Sequence, residues 1–465
     1  MRGTIVVTKN QNLKARAPKL ARAFFAGRRK EFFSRLPADS LAIIVSNPEM
    51  TRSNDTEFPY RQSSDVLYLS GFPESSTVLV FHKTGKRQRF IMFVRPKDLE
   101  RETWTGRRFG VEGAKSLFGC TEAHSIDDFE KVMEELVGAG TEQIFYKFDR
   151  NPEIDARFKK LWLPRQKPLH NPEDILHPMR HIKEATELAQ MRYACEISAQ
   201  AHCEAMRRVR PGMHEYEIQG IIEGFGASCG APRQAYNTIA GGGRNGVILH
   251  YNENSDVLND GDLLLVDAGC EFRGYASDIT RTYPVNGKFS DAQKEIYELV
   301  LAAQLAAIKA AKPGADINRV HAAADNVLRR GLVTLGILPA KMASKAGHDK
   351  LVARAEKKGE EDKLAHVARF FMHGTSHWMG LDVHDVCGVP KKEGKELPLA
   401  PGMVLTVEPG LYFRPDDKLV PKRYRGIGIR IEDDVLIVEG GCEVLTASVP
   451  KTVSDIERLM AESGQ

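Results

Sequence analysis

Apolar and polar positions in the first third of the chain predict strands that alternate with helices. Apolar runs rich in β-branched and aromatic residues occupy positions 41–45, 78–81 and 90–94, and helical patterns such as residues 127–137 lie between them. This alternation is typical of an α/β fold. A basic amphipathic stretch at residues 13–36 predicts a surface helix ahead of the first strand.

A proline-rich segment follows this region. Residues 164–178 contain four prolines and few apolar residues, which is typical of a linker. We therefore place a domain boundary near residue 175. The expected organisation is an N-terminal α/β domain over residues 1–175 and a second domain over residues 176–465.

Beyond the linker, the same order of helix signals occurs twice. Residues 182–210 have helical spacing up to a Pro-Gly pair, and a second helix is expected from about His214. A capping box at Ser290 opens another helix, which ends at a second Pro-Gly pair before a helix from about Asp316. Coincidence is the alternative, because Pro-Gly often follows a helix. We favour an internal duplication with two similar halves facing each other.

Composition and net charge limit the functional classes that fit this chain. The chain has 465 residues, 42% of them hydrophobic, and a net charge of +4 from 66 basic and 62 acidic residues. Near-balanced charge gives no support to nucleic-acid binding. The strongly charged residues 342–367 predict an exposed helical or mobile insertion.

The cysteine pattern and the N-terminal sequence indicate the cellular compartment in which the protein is expected. Seven cysteines, an odd number without a C-x-x-C pair, fit free thiols in a reducing cytosol. The N-terminus lacks a signal-peptide pattern, and no apolar run approaches the ~18 residues of a membrane helix. We expect a soluble cytoplasmic protein that binds neither membranes nor nucleic acid.

Three histidines lie close together at positions 373, 377 and 384. His373 and His377 have the spacing of a zinc-protease helix, but Gly374 stands where that motif needs its general-base Glu, and Gly380 also disfavours a helix. A zinc helix of this type is therefore disfavoured. The other alternative is three buried histidines without a function.

Four carboxylates lie within or just after segments with apolar strand patterns elsewhere in the second domain. They are Asp267, Asp278, Glu408 and Glu432. A turn between Asp267 and Asp278 predicts a hairpin that brings these two together. Buried carboxylates are costly without cations, and two divalent ions would balance four of them.

An oxygen-rich donor set of this kind with one imidazole suits Mn²⁺, with Co²⁺, Fe²⁺ and Zn²⁺ as alternatives. Such ions acidify water near neutral pH and polarise carbonyl groups. The glycine-rich residues 240–246 lack a phosphate-loop lysine, so they favour a close backbone approach over nucleotide binding.

With these residues in view, the chain resembles the bacterial Xaa-Pro aminopeptidases (aminopeptidases P) of the pita-bread metallopeptidase family over nearly its whole length. The motifs that carry the resemblance are residues 51–65, 104–108, 236–239, 249–251, 266–270, 278–282, 373–385, 408–410 and 428–432. The resemblance implies a creatinase-like α/β N-terminal domain and a pita-bread catalytic domain with a pseudo-twofold internal repeat. It also implies release of the first residue of a peptide when proline is second.

The resemblance assigns expected roles residue by residue. The positions that match the metal ligands are Asp267, Asp278, His377, Glu408 and Glu432. Asp278 and Glu432 match the two that bridge a pair of ions. His250 and His384 match histidines that contact substrate and support the transition state, and Glu408 is expected to carry the proton to the leaving nitrogen.

The remaining expected positions concern substrate binding and assembly. His373 and Arg430 match the pocket for the proline side, and Tyr236 is a further substrate-binding position. Trp104 resembles an aromatic residue that closes the site of a neighbouring subunit, which implies a homodimer or homotetramer. Prolidase activity on Xaa-Pro dipeptides and a metal-free peptide-binding module on the same fold are the alternatives.

Overall fold

A computed structural model describes residues 13–14, 16–138, 140–386 and 397–462. The chain divides into two compact units, residues 19–180 and residues 181–465, and the described residues before residue 19 belong to the second unit. The division falls within helix Glu173–His181, which also contains the boundary position expected from the sequence.

The N-terminal unit is built on a mixed six-stranded sheet. In spatial order its strands are Glu122–Ser125, Arg87–Val94, Val78–Thr84, Ser40–Val45, Gln143–Phe145 and Leu169–His170. The central pairs are antiparallel, and the pairs toward both edges are parallel. Its helices are Arg22–Arg35, Ser64–Ser70, Leu99–Thr105, Gly110–Phe118, Phe129–Gly138, Pro152–Trp162 and Glu173–His181. A hairpin of strands Thr51–Ser53 and Thr56–Glu57 completes the unit.

The surface helix expected at residues 13–36 is present but shorter than predicted, and half of its residues are exposed. The helix is Arg22–Arg35, and Phe32 and Phe33 within it are buried. Both rings make edge contacts with Phe81 of the sheet, at centroid distances of 4.7 and 5.2 Å. The aromatic face of this amphipathic helix therefore packs on the sheet, while residues such as Lys30 and Arg35 on the other face are exposed.

The second unit contains the two expected helix pairs. The first pair is Ala185–Arg208 and Glu215–Ser228, and the second pair is Asp291–Ala310 and Ile317–Thr334. The capping box at Ser290 is present, and Asp316 caps the last of these helices. The described part of this unit also contains helices Lys345–Glu356, Val367–Phe370 and Val453–Ala461. The charged insertion is helical, and no residue of Lys345–Glu356 is buried.

Each helix pair is followed by a small antiparallel sheet. The first consists of Ile239–Gly242, Leu263–Asp267 and Thr280–Pro284, and the second of Val404–Val407, Asp433–Val438 and Gly441–Val444. Shorter sheets are formed by Arg233–Gln234, Cys270–Phe272 and Tyr275–Ala276, and by Gly410–Tyr412 and Gly428–Arg430. The same order of elements thus occurs twice, as the duplicated patterns predicted, within one mixed α/β chain.

The two halves of this unit meet along a pair of strand ends. The N–H of Glu432 donates to the carbonyl of Thr280 at 3.1 Å, and the hydroxyl of Thr282 donates to the carbonyl of Arg430 at 3.1 Å. Acidic residues from both halves therefore reach one place.

Two further expectations concern thiols and membranes. The six cysteines within the described ranges are free, and Cys387 lies outside those ranges. No helix in the described part of the chain has the length and apolar character needed to span a bilayer.

Candidate metal and peptide site

The four carboxylates lie at strand ends from both halves. Asp267 ends strand Leu263–Asp267, and Glu408 directly follows strand Val404–Val407. Asp278 lies two residues before strand Thr280–Pro284, and Glu432 immediately precedes strand Asp433–Val438. Apolar strands thus anchor each acid at a strand end, where its carboxylate can face the cavity.

The hairpin between the first two acids is present. Strands Cys270–Phe272 and Tyr275–Ala276 pair around Arg273 and Gly274, whose φ angles are +51° and +89°. The hydroxyl of Tyr236 lies 2.6 Å from Asp267 Oδ1 and 2.5 Å from Asp278 Oδ1. The two carboxylates therefore share one phenol, as expected for neighbouring ligands.

His377 faces two of the carboxylates. Its Nε2 lies 3.4 Å from Asp278 Oδ2 and 3.4 Å from Glu408 Oε1. Its Nδ1 lies 3.2 Å from the carbonyl of Trp378, which assigns the ring proton to Nδ1 when the ring is neutral. This arrangement leaves the Nε2 lone pair directed at the carboxylate cluster, as in many metal-binding histidines.

Asp278, His377 and Glu432 form a group whose potential ligand atoms all lie within 4.8 Å of one another. Burial, and then the charges of Asp278 and Glu408, raise the pKa of Glu432 well above its usual value. Burial likewise raises the pKa of Glu408 to about 7. The raised pKa values mean that these carboxylates need additional positive charge in order to be ionised at neutral pH. Their oxygen atoms and the imidazole fit divalent cations as the source of that charge.

Arg430 supplies a permanent positive charge at the edge of this cluster. Its Nη2 lies 2.6 Å from Asp267 Oδ2, and its Nη1 donates to the hydroxyl of Tyr412 at 2.8 Å. Its Nε donates to Thr280 Oγ1, which in turn donates to Glu432 at 2.6 Å. The Arg430 side chain is only 4% exposed, so its hydrogen bonds support the carboxylate cluster from within the protein.

His373 and Arg430 are linked through the hydroxyl of Tyr412, which forms a hydrogen bond with each of them. The Nε2 atom of His373 lies 2.8 Å from the Tyr412 hydroxyl, and its Nδ1 lies 2.8 Å from the carbonyl of Gly374. Burial, and then the charge of Arg430, lower the pKa of His373 to about 4. The ring is therefore neutral at pH 7 and engaged at both nitrogens. Tyr412, which joins these two expected positions, had no signal in the sequence pattern.

One cavity of about 590 Å³ brings the expected residues of this unit together. Those that line it are Tyr236, His250, Asp267, Asp278, His373, His377, His384, Glu408, Arg430 and Glu432. His384 contacts the ring of His377 with centroids 4.3 Å apart. Trp104 lies in the N-terminal unit, on helix Leu99–Thr105, and is 82% exposed.

A second group of potential ligand atoms lies in the N-terminal unit, in Asp65, Glu173 and His177. Its Glu173 already accepts hydrogen bonds from Lys147 and Arg150. Because these two cations neutralise the carboxylate, this group does not share the shortage of positive charge found in the cavity.

Comparison with known families agrees with this arrangement. The model of metallopeptidase family M24 matches residues 189–439, which include the whole carboxylate cluster. The chain belongs to metallopeptidase family M24. The model of the aminopeptidase P N-terminal domain matches residues 25–145. As a member of M24 the chain is a hydrolase that uses divalent metal.

Two bacterial relatives are similar over almost their full length. The Xaa-Pro aminopeptidase of Escherichia coli is 43% identical, over 95% of this chain and 98% of the relative. The Xaa-Pro aminopeptidase of Haemophilus influenzae is 41% identical, over 95% of this chain and 98% of the relative.

Solved structures show the same fold. Aminopeptidase PepP from Pseudomonas aeruginosa has a TM-score of 0.89 at 41% identity, covering 96% of this chain and 99% of that one. A zinc-substituted E. coli aminopeptidase P in complex with product has a TM-score of 0.88 at 41% identity, covering 96% and 99%.

Proposed function

We propose that this chain is an aminopeptidase that hydrolyses the first peptide bond of substrates whose second residue is proline. The observation that carries the proposal is the buried set of four carboxylates and His377 in one peptide-sized cavity. Family M24 membership and extensive similarity to Xaa-Pro aminopeptidases support the same activity.

The proposed cofactor is a pair of divalent ions, with manganese favoured by the donor type and Co²⁺, Fe²⁺ and Zn²⁺ as alternatives. The proposed ligands are Asp267, Asp278, His377, Glu408 and Glu432. When bound, such ions would supply Lewis acidity toward the scissile carbonyl and lower the pKa of water. The raised pKa values of Glu408 and Glu432 support a need for cations at this place.

Three side chains are proposed to act directly on the peptide bond. His250 and His384 line the cavity and can donate to the carbonyl oxygen as negative charge develops there. Glu408 can receive a proton and deliver it to the departing imide nitrogen.

Substrate selection is proposed to rest on the wall formed by Tyr236, His373 and Arg430. The neutral His373 ring, with both nitrogens engaged, offers an uncharged surface that suits a pyrrolidine ring. Arg430 keeps Tyr412 and Asp267 in position beside it.

We also propose a cytoplasmic homodimer or homotetramer in which Trp104 closes the cavity of a neighbouring subunit. The N-terminal unit supports association, because Leu99 is 81% and Trp104 is 82% exposed on a helix without buried residues. Met50 and Phe58, beside the exposed hairpin, are 60% and 54% exposed. These exposed apolar side chains are available for contact with a second copy of the chain.

The proposed role of Glu408 is tested by Glu408→Ala. The variant is expected to lose release of the first residue from an Arg-Pro-Pro peptide while retaining its fold. Glu356→Ala, on the exposed helix Lys345–Glu356, is the matched control and should keep wild-type turnover. Retained turnover in Glu408→Ala with intact metal content would refute the role.

A comparison of peptides separates the aminopeptidase from a prolidase. A tripeptide with proline second and the corresponding Xaa-Pro dipeptide are assayed side by side. Cleavage of the tripeptide supports the proposal, and cleavage of the dipeptide alone supports prolidase. Peptide binding without stoichiometric metal or cleavage would support a binding module.

A further inference from the structure

A buried glutamate at the start of helix Glu215–Ser228 organises the loop that carries His250. By sequence, Glu215 resembles an ordinary acidic residue of a first helical turn, where it would face solvent. In the structure its side chain is completely buried, with 0% exposure. A buried carboxylate needs several donors to compensate for its lost hydration.

All four donors to this carboxylate belong to, or directly adjoin, one loop. We define the His250 loop as residues 243–256. Glu215 Oε1 accepts from the N–H of Gly242 at 2.7 Å and from the amide of Asn245 at 3.0 Å. Its Oε2 accepts from the hydroxyl of Tyr251 at 2.8 Å and from the N–H of Asp256 at 2.9 Å.

These bonds fix the loop at its beginning, middle and end. Tyr251 directly follows His250, and its ring packs with Ile239, Leu265 and Tyr412 beside the cavity. The N–H of Glu215 also donates to the carbonyl of Asp256 at 3.0 Å. His250 itself is an exposed side chain on the cavity wall, so its position depends on the backbone that carries it.

We propose that Glu215 is a positioning residue that holds His250 in place for reaction with the peptide carbonyl. This inference rests on the proposed function. The four donors are neutral groups, so the carboxylate serves as a hydrogen-bonding centre and the loop closes around it. A shift of about 1 Å in a reacting group can cost about 100-fold in rate.

The test uses Glu215→Gln in the full-length, metal-loaded protein. Glutamine keeps one acceptor oxygen but directs an amide donor at two of the four loop donors. The variant is expected to lose about 10- to 100-fold in kcat/KM for a proline-second tripeptide. Glu217→Gln is the matched control, because this residue lies on the same helix, is 45% exposed and accepts from the backbone N–H of the cap residue His214.

A double-mutant cycle distinguishes positioning from a general structural effect. In a His250→Ala background, Glu215→Gln should cause little further loss of kcat/KM, because the positioned group is already absent. The same fold loss in both backgrounds would overturn the inference. Wild-type kcat/KM in His250→Ala alone would also overturn it.

Tyr251→Phe provides a milder variant if Glu215→Gln folds poorly. It removes one of the four donors and keeps the buried ring, so a smaller loss that also vanishes with His250→Ala is expected. Amide hydrogen exchange over residues 243–256 gives a readout independent of activity. Faster exchange in Glu215→Gln and wild-type exchange in Glu217→Gln support the inference, whereas unchanged exchange in Glu215→Gln overturns it. Absence of cleavage by the wild type would instead refute the proposed function.

Discussion

Replacing Asp433 by Asn should strongly destabilise the catalytic unit. Both Asp433 and Arg281 have 0% side-chain exposure, and their charged atoms lie 2.7 Å apart. Asp433 also accepts from Lys451 at 2.7 Å, Gln304 at 2.7 Å and Thr446 at 2.8 Å. Burial raises the pKa of Asp433, but Arg281 and Lys451 more than compensate and lower the net value, so the group is ionised at pH 7.

Asparagine keeps one acceptor and turns an amide donor toward two of the four donors, and it leaves the Arg281 guanidinium buried without a counter-charge. Removing one partner of a buried ion pair costs about 3–5 kcal/mol. This is a large part of the roughly 5–15 kcal/mol that stabilises a typical domain. Urea and thermal unfolding of the metal-free protein at pH 7 measure the loss.

Asp416→Asn is the matched control for this prediction. Asp416 pairs with Arg414 at 3.2 Å, but the two side chains are 72% and 71% exposed. Water screens an exposed pair of this kind, so Asp416→Asn should leave the free energy of unfolding close to that of the wild type. A free energy of unfolding for Asp433→Asn that lies within about 1 kcal/mol of wild type would refute the reasoning, since the buried pair would then behave like an exposed one.

Three further predictions concern the site. Without metal, the folded-state pKa of Glu408 is about 7 against an ordinary 4.5, so the folded state loses stability as pH rises through this range. Divalent ions must displace that proton, so the increase in Tm on adding Mn²⁺ should grow from pH 5 to pH 8; an increase independent of pH would contradict this. Tyr412→Phe removes the hydroxyl 2.8 Å from both Arg430 and His373 and should lower kcat/KM about 10-fold, with wild-type metal content by elemental analysis; unchanged kcat/KM would count against it. Trp104→Ala should lower kcat/KM without changing Tm, because its side chain is 82% exposed, and unaltered kinetics would exclude its proposed role in closure.

Much of the fold could be predicted because periodic patterns have local causes. The capping box at Ser290 and the cap at Asp316 mark helix starts through hydrogen bonds within one turn. The acids of the site follow or precede apolar strands, so their places at strand ends could be inferred from the pattern alone. The turn at Gly274 likewise predicts the hairpin that follows Asp267.

The contacts between the two halves could not be predicted in this way. The sequence pattern around Arg281 predicts only that it lies on a strand. In the structure it forms an ion pair with Asp433, which lies on a strand of the other half. Tyr412 and Glu215 each act through one polar group whose partners lie far away in the sequence. These contacts join residues that are far apart in the sequence, so a periodic pattern within one segment does not predict them.

The central claim is that the carboxylate cluster binds divalent metal in order to cleave the bond before proline. The most direct test removes metal from the full-length protein by chelation and titrates Mn²⁺ back while release of arginine from Arg-Pro-Pro is followed. We expect no release from the chelated protein and full recovery as metal reaches stoichiometric occupancy. Cleavage that persists in the metal-free protein, or no cleavage of this peptide at any metal concentration, would contradict the claim.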